Sequence, residues 1–295
     1  MHPATIRTLA TLPVAGMAFD TTLRARNAML DAMTYGVCRL TPAERAMLAR
    51  DAGAACLTVH PRGAHGERGV VRHADHAALL VADGPVARQI AVGGLGGSEL
   101  GAASLARALA DVTGRAVIAV PAGYDRDDLV AEAMGGLFLF SAAARARHAA
   151  GTLRRGFAER LAGGPRLAPE LFAAPAVATL LRLMTDPERR LDVVLAHSRG
   201  GLALSAAYAR LSRLAERRPF LRAAQAQVIT VGCVTAFPPG VAWTRQALGT
   251  LDALGHANSR TDLDHERIPG ASHHVNPSLP LGLDLAAYLG RVLHG

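Results

Sequence analysis

Lysine is absent from this 295-residue chain, so all 32 of its basic residues are arginines. Set against 24 acidic residues they leave a formal charge of +8, a balance that ordinarily raises the question of nucleic acid. Here the arginines are dispersed (Arg7, Arg24, Arg88, Arg115, Arg210, Arg260), and no run is longer than a pair such as Arg154-Arg155 or Arg189-Arg190. No basic patch is interleaved with aromatic residues, which make up just 4% of the chain. Nucleic acid is therefore not an expected partner, and arginine usage with abundant alanine fits a GC-rich coding bias. Cysteine is also scarce. Cys38, Cys56 and Cys233 are odd in number and form no spaced framework, which excludes a disulfide scaffold and makes the cytoplasm the expected compartment. Export is the alternative, because Arg7 precedes an apolar stretch over 9–18, although Thr11 and Pro13 interrupt it. No uninterrupted apolar run reaches the roughly 18 residues a membrane helix needs, so no membrane span is expected.

Half of the residues are apolar, enough to bury a large core, and no stretch has the composition of a linker. A single domain over 1–295 is expected. Residues 22–50 carry a helical pattern through Leu23, Ala28, Met29 and Met33, with Thr41-Pro-Ala-Glu44 reading as a capped helix start. Short apolar runs at 55–59, 76–82 and 88–92 read as strands, the last two separated by an Asp83-Gly84-Pro85 turn. Beyond residue 88 strands and helices alternate: strands at 89–92, 116–120, 191–195 and 227–231, and helices at 101–112, 127–190, 200–217 and from 283. Strands that are apolar throughout and separated by helices indicate a mostly parallel sheet covered on both faces. The fold class is α/β.

The most informative segment is Leu191-Asp-Val-Val-Leu-Ala-His-Ser-Arg-Gly-Gly-Leu-Ala-Leu204. A buried strand runs directly into Ser198 and a helix begins at once. A nucleophilic serine needs this kind of sharp turn, with small residues two before and two after it so that strand and helix do not collide. Ala196 and Gly200 meet that need. Helix N-capping is the ordinary structural use of such a serine. The His-Ser-X-Gly-Gly segment resembles the α/β-hydrolase superfamily, and within it the lipase and esterase branch. The resemblance implies an α/β-hydrolase fold with Ser198 as nucleophile and the backbone N–H of Arg199, at a helix N-terminus, facing a developing oxyanion.

Two further segments extend the resemblance. Ile90-Ala-Val-Gly-Gly-Leu-Gly-Gly-Ser98 follows a strand, and the family draws its other oxyanion donor from such a place. Carried over, that donor is the backbone N–H of Leu95. The glycine spacing does not fit a dinucleotide loop, because Glu99 stands where a third glycine is required. Ile268-Pro-Gly-Ala-Ser-His-His-Val-Asn-Pro277 is similar to the loop that carries the family's general base, which places the base at His273 with His274 as the alternative. The acid must lie between serine and histidine. Residues 232–243 contain none, so Asp252, at the end of the apolar run 246–251, is the first candidate, with Asp262 and Asp264 as alternatives.

The region 127–190 contains Met134-Gly-Gly-Leu-Phe-Leu-Phe140 and is too long for one connecting helix. It reads either as a helical cap or lid over Ser198, or as an ordinary helical pair on the sheet. His60, His65, His73 and His76 lack metal-ligand spacing, and His197 reads as a positioning residue. The expected function is a Ser-His-Asp hydrolase of carboxylic esters, with a small or lipid-like acyl ester as substrate and no metal or organic cofactor. An acyltransferase or thioesterase on the same fold, and a non-catalytic relative that binds or scaffolds, are the alternatives. Residues 1–75 would add an edge strand and covering helices, or a homodimer contact.

Overall fold

The computed structural model describes residues 25–50, 55–64, 69–82, 86–94, 96–122 and 174–295. Its centre is an eight-stranded sheet: β1 (Cys56–Val59), β2 (Val70–His73), β3 (Gln89–Val92), β4 (Val117–Val120), β5 (Val193–His197), β6 (Gln227–Val231), β7 (Trp243–Gly249) and β8 (Glu266–Ile268). The spatial order is β2-β1-β4-β3-β5-β6-β7-β8. β3 to β8 are mutually parallel, and β1 is antiparallel to both β2 and β4.

The helices are α1 (residues 25–34), α2 (Pro42–Arg50), α3 (His76–Val81), α4 (Glu99–Thr113), α5 (Ala174–Thr185), α6 (Arg199–Leu211), α7 (Arg218–Ala223), α8 (Ala253–Asn258) and α9 (Leu285–His294). They cover both faces. Ala91, Val117, Ala119, Val193 and Leu195 pack on one side with α4 and α9, while Ile90, Val92, Ile118, Val120, Val194 and Ala196 pack on the other with α5 and α6. The alternation follows from the two-residue period of a strand: a strand covered on both sides is apolar at nearly every position, and Gln89, His197 and Thr230 are the buried polar exceptions in β3, β5 and β6.

Several local expectations hold and others change. Thr41 and Glu44 form a reciprocal capping box, with the Thr41 N–H donating to Glu44 Oε2 at 2.8 Å and the Glu44 N–H donating to Thr41 Oγ1 at 3.2 Å. The helical pattern over 22–50 is broken, however, by a turn and a short 3-10 segment (Val37–Arg39), and Met29 and Met33 are exposed rather than core. The run 76–82 is not a strand. Asp75 caps it by accepting from the Ala78 N–H, and only Leu79 is buried, which makes it a surface helix. The edge strand lies earlier, in β2. The helix from residue 200 stops at Leu211 and a separate α7 follows. Most of the 127–190 segment lies outside the described residues. Its last part, α5, is a sheet-covering helix whose Val177, Leu180, Leu183 and Met184 are in the core.

The strand order fixes where a site can form. From β3 the chain moves to β4 on one side and to β5 on the other, and a crevice opens outside the carboxyl ends of parallel strands where the direction of winding reverses. Val92 and His197 end the two strands that border it.

Candidate active site

Ser198 follows the last residue of β5 and stands at the N-cap position before α6. Its backbone sits at φ 53° and ψ −123°, a sparsely populated conformation for a residue with a Cβ, which costs about 1–3 kcal/mol. The turn can be this sharp because its neighbours are small. A Cβ on Gly200 would lie 2.5 Å from the carbonyl oxygens of Val92 and Gly93, and one on Gly94 would run into the His197 carbonyl. Serine at a helix start usually caps the helix with its own oxygen. Ser198 makes no such bond. Its Oγ instead lies 2.8 Å from His273 Nε2.

His273 stands on the loop after β8. That loop is tied down on both sides, by the Ser272 N–H donating to the Leu281 carbonyl at 2.7 Å and the Val275 N–H to the Thr34 carbonyl at 2.8 Å. The other ring nitrogen, Nδ1, lies 2.8 Å and 2.9 Å from the two carboxylate oxygens of Asp252. Because a carboxylate only accepts, this contact places the proton on Nδ1 and leaves Nε2 with a lone pair facing Ser198. Asp252 is only 1% exposed. It is held at the N-cap of α8, where Oδ1 also accepts from the Gly255 N–H.

The structure thus brings Ser198, His273 and Asp252 into one hydrogen-bonded line and separates the alternatives from it. His274 turns away and lies 3.0 Å from the Pro280 carbonyl. Asp262 is exposed and engaged by Arg260 at 2.7 Å and 2.6 Å, and Asp264 is exposed as well. Cys233 lies nearby, but burial, reinforced by the charge of Asp252, pushes its thiol up to about 12. A thiol so poorly ionised is a structural group and not a nucleophile.

The expected oxyanion donors are placed in part. Arg199 is the first residue of α6, so its backbone N–H belongs to the helix N-terminus beside Ser198. Leu95 lies outside the described residues. Just before it the glycine turn is held firmly. The Gly93 N–H donates to the Val120 carbonyl at 3.1 Å, and the Gly94 N–H donates to Tyr35 Oη at 2.6 Å. Neither of those donors is available to a ligand.

Two residues of the N-terminal part contribute that the sequence did not single out. Asp31, on α1 and fully buried, accepts from the Ser98 N–H at 2.8 Å and from the Ser98 hydroxyl at 2.5 Å, tying down the far end of the glycine turn. Burial pushes its carboxyl well above the usual range, against the lowering effect of the Ser98 hydrogen bonds. Tyr35, at the end of α1, is 1% exposed and lies 3.0 Å through its hydroxyl from His197 Nδ1. No spacing or motif around either residue pointed to the site.

Of the four sequence-clustered histidines, three lie among the described residues. His73 pairs with the Thr58 hydroxyl at 2.8 Å, His76 lies 3.9 Å from Asp186, and His65 is outside the described residues. Among the described residues no three His, Cys, Asp or Glu side chains form a metal-ligand set, and no helix is long and apolar enough to cross a membrane. Comparison of the chain with protein-family models, curated proteins and solved structures finds no match.

Proposed function

We propose that the protein is a serine hydrolase of carboxylic esters, similar to the lipase and esterase branch of the α/β-hydrolases. The observation that carries this reading is the line from Ser198 Oγ to His273 Nε2 at 2.8 Å and from His273 Nδ1 to Asp252 at 2.8 Å. It is supported by a serine that holds a strained turn and leaves its helix uncapped. An ordinary capping serine needs neither feature.

In this mechanism Ser198 Oγ attacks the acyl carbonyl while its proton passes to His273 Nε2. Asp252 stabilises the imidazolium that results. The backbone N–H of Arg199, and that of Leu95 by the resemblance, stabilise the tetrahedral oxyanion. His273 then protonates the departing alcohol, leaving an acyl-enzyme. Water deprotonated by the same imidazole attacks the acyl carbonyl, and the imidazolium returns that proton to Ser198 Oγ as the acid leaves. Every proton moved belongs to serine, imidazole, alcohol or water, so the sequence closes without a metal or an organic cofactor.

The test is hydrolysis of p-nitrophenyl esters by the purified chain and by Ser198→Ala. Turnover by the natural chain is expected, together with a loss of about 10³-fold or more in the variant. Equal turnover by the two proteins would remove Ser198 from the reaction.

A further inference from the structure

His197 is a residue the esterase mechanism does not use, although it precedes the nucleophile and is completely buried. Both of its ring nitrogens are occupied. Nε2 lies 2.9 Å from the main-chain carbonyl of His273, and Nδ1 lies 3.0 Å from the Tyr35 hydroxyl. The Tyr35 oxygen in turn receives the Gly94 N–H at 2.6 Å.

The ends of this chain dictate its middle. A carbonyl only accepts, so His197 Nε2 carries the proton. A backbone N–H only donates, so the Tyr35 oxygen accepts from Gly94 and its own O–H points to His197 Nδ1. The neutral ring this requires is the form that burial enforces, pushing the imidazole down to about 3, with the charge of His273 acting in the same direction and the hydrogen bond to the His273 carbonyl against it. All donors then point one way, from Gly94 through Tyr35 and His197 to His273, and each bond polarises the next.

We propose that Tyr35 and His197 form a positioning strut that holds the glycine turn, the serine elbow and the base-bearing loop in mutual register. The proposal rests on the esterase reading for its catalytic meaning. Neither residue touches the reacting atoms. The Gly94 turn is held at one end, the His273 backbone at the other, and Ser198 is joined covalently to the middle. A His273 main chain freed from His197 would let the imidazole drift from Ser198 Oγ, and a displacement of about 1 Å costs on the order of a hundredfold in rate. The strut is also uncharged. With the His197 and His273 ring centroids 5.1 Å apart, a second cation there would oppose the imidazolium formed during the reaction.

The test uses the full chain with ¹⁵N-labelled histidine, alongside Tyr35→Phe. In the natural protein His197 should keep a protonated Nε2 and a hydrogen-bond-accepting Nδ1 from about pH 5 to 8, across the range where a free imidazole titrates. In Tyr35→Phe, kcat should fall about ten- to a hundredfold with KM within about twofold, and fluorophosphonate labelling of Ser198 should slow in proportion. The His273 ring signals should shift as well. A His197 ring that titrates in that range or carries its proton on Nδ1 overturns the strut. So does a folded Tyr35→Phe with kcat within about twofold of the natural chain and unmoved His273 signals. A natural chain that neither hydrolyses esters nor labels overturns the esterase reading alone; the ring signals of His197 and His273 then decide the strut.

Discussion

If the chain is the serine hydrolase proposed above, replacing Asp252 by asparagine separates its two jobs, because only one of them needs a charge. As the N-cap of α8, Asp252 accepts the Gly255 N–H at 2.5 Å, and asparagine caps helices about as well as aspartate. Stability should therefore change by less than about 1 kcal/mol. The contact with His273 loses one of its two acceptors. With the amide oxygen kept on Gly255 it stays 2.8 Å from His273 Nδ1, but the NH₂ that replaces Oδ2 at 2.9 Å donates and opposes a proton on Nδ1. That favours the tautomer with the proton on Nε2, which cannot take the proton of Ser198. The imidazolium also loses its counter-ion: unit charges about 4 Å apart interact by about 4 kcal/mol at the effective dielectric of a protein site. That alone is worth about 10³-fold, and the wrong tautomer carries the loss towards the roughly 10⁴-fold found for the equivalent change in serine proteases. Steady-state hydrolysis of a p-nitrophenyl ester should thus show kcat down about 10³- to 10⁴-fold, with KM within a few-fold and an almost unchanged melting temperature. Asp262→Asn, on the exposed partner of Arg260, should match the natural chain. A folded Asp252→Asn variant retaining more than about a tenth of natural kcat would refute the reasoning.

Three other outcomes are expected. Gly94→Ala should lower stability by about 1–3 kcal/mol in urea unfolding and abolish ester hydrolysis, because the added Cβ meets the His197 carbonyl and lies 2.9 Å from Ser198 Cβ. Glu44→Gln should cost about 3–5 kcal/mol in the same assay, since it strands the buried Arg107 that Glu44 pairs with at 2.6 Å; replacing both residues by methionine should cost less than the single change. Burial holds His197 at about 3 in the folded state against about 6.5 when unfolded, so the unfolded chain binds the extra proton between those values. Its contribution to stability is complete above about pH 6.5 and is lost on acidification towards pH 3, with a slope of up to about 1.4 kcal/mol per pH unit. Urea midpoints measured across that range should show a shallower slope in His197→Gln.

The parallel core and the serine turn were legible because each obeys a local rule. β3, β4, β5 and β6 are predominantly apolar runs next to helices, and the Ser198 turn announces itself through Ala196 and Gly200. Asp252 and His273 were narrowed by chain order, but only the fold separates His273 from His274, as adjacent loop side chains have no periodicity to sort them. The run 76–82 misled because Leu79, Leu80 and Val81 suit a strand, whereas Asp75 stabilises a helix that exposes Leu80 and Val81. Tyr35 and Asp31 were invisible for another reason. Their contacts span 162 and 67 residues of sequence, and a hydrogen bond across such distances leaves no mark on its neighbours.

Those separations bear on how the molecule comes into being. Tyr35, Gly94, His197, Asp252 and His273 are strung along most of the chain, and Asn276 donates across 244 residues to the Ala32 carbonyl. Closing a longer loop costs only slightly more entropy, but contacts between distant segments slow the search for the native topology. Helices such as α4 and α6 can form early from local signals, whereas the line through Ser198 exists only once Asp252 and His273 have been brought beside β5. In a refolding chain, helical signal should therefore return before reactivity at Ser198 does.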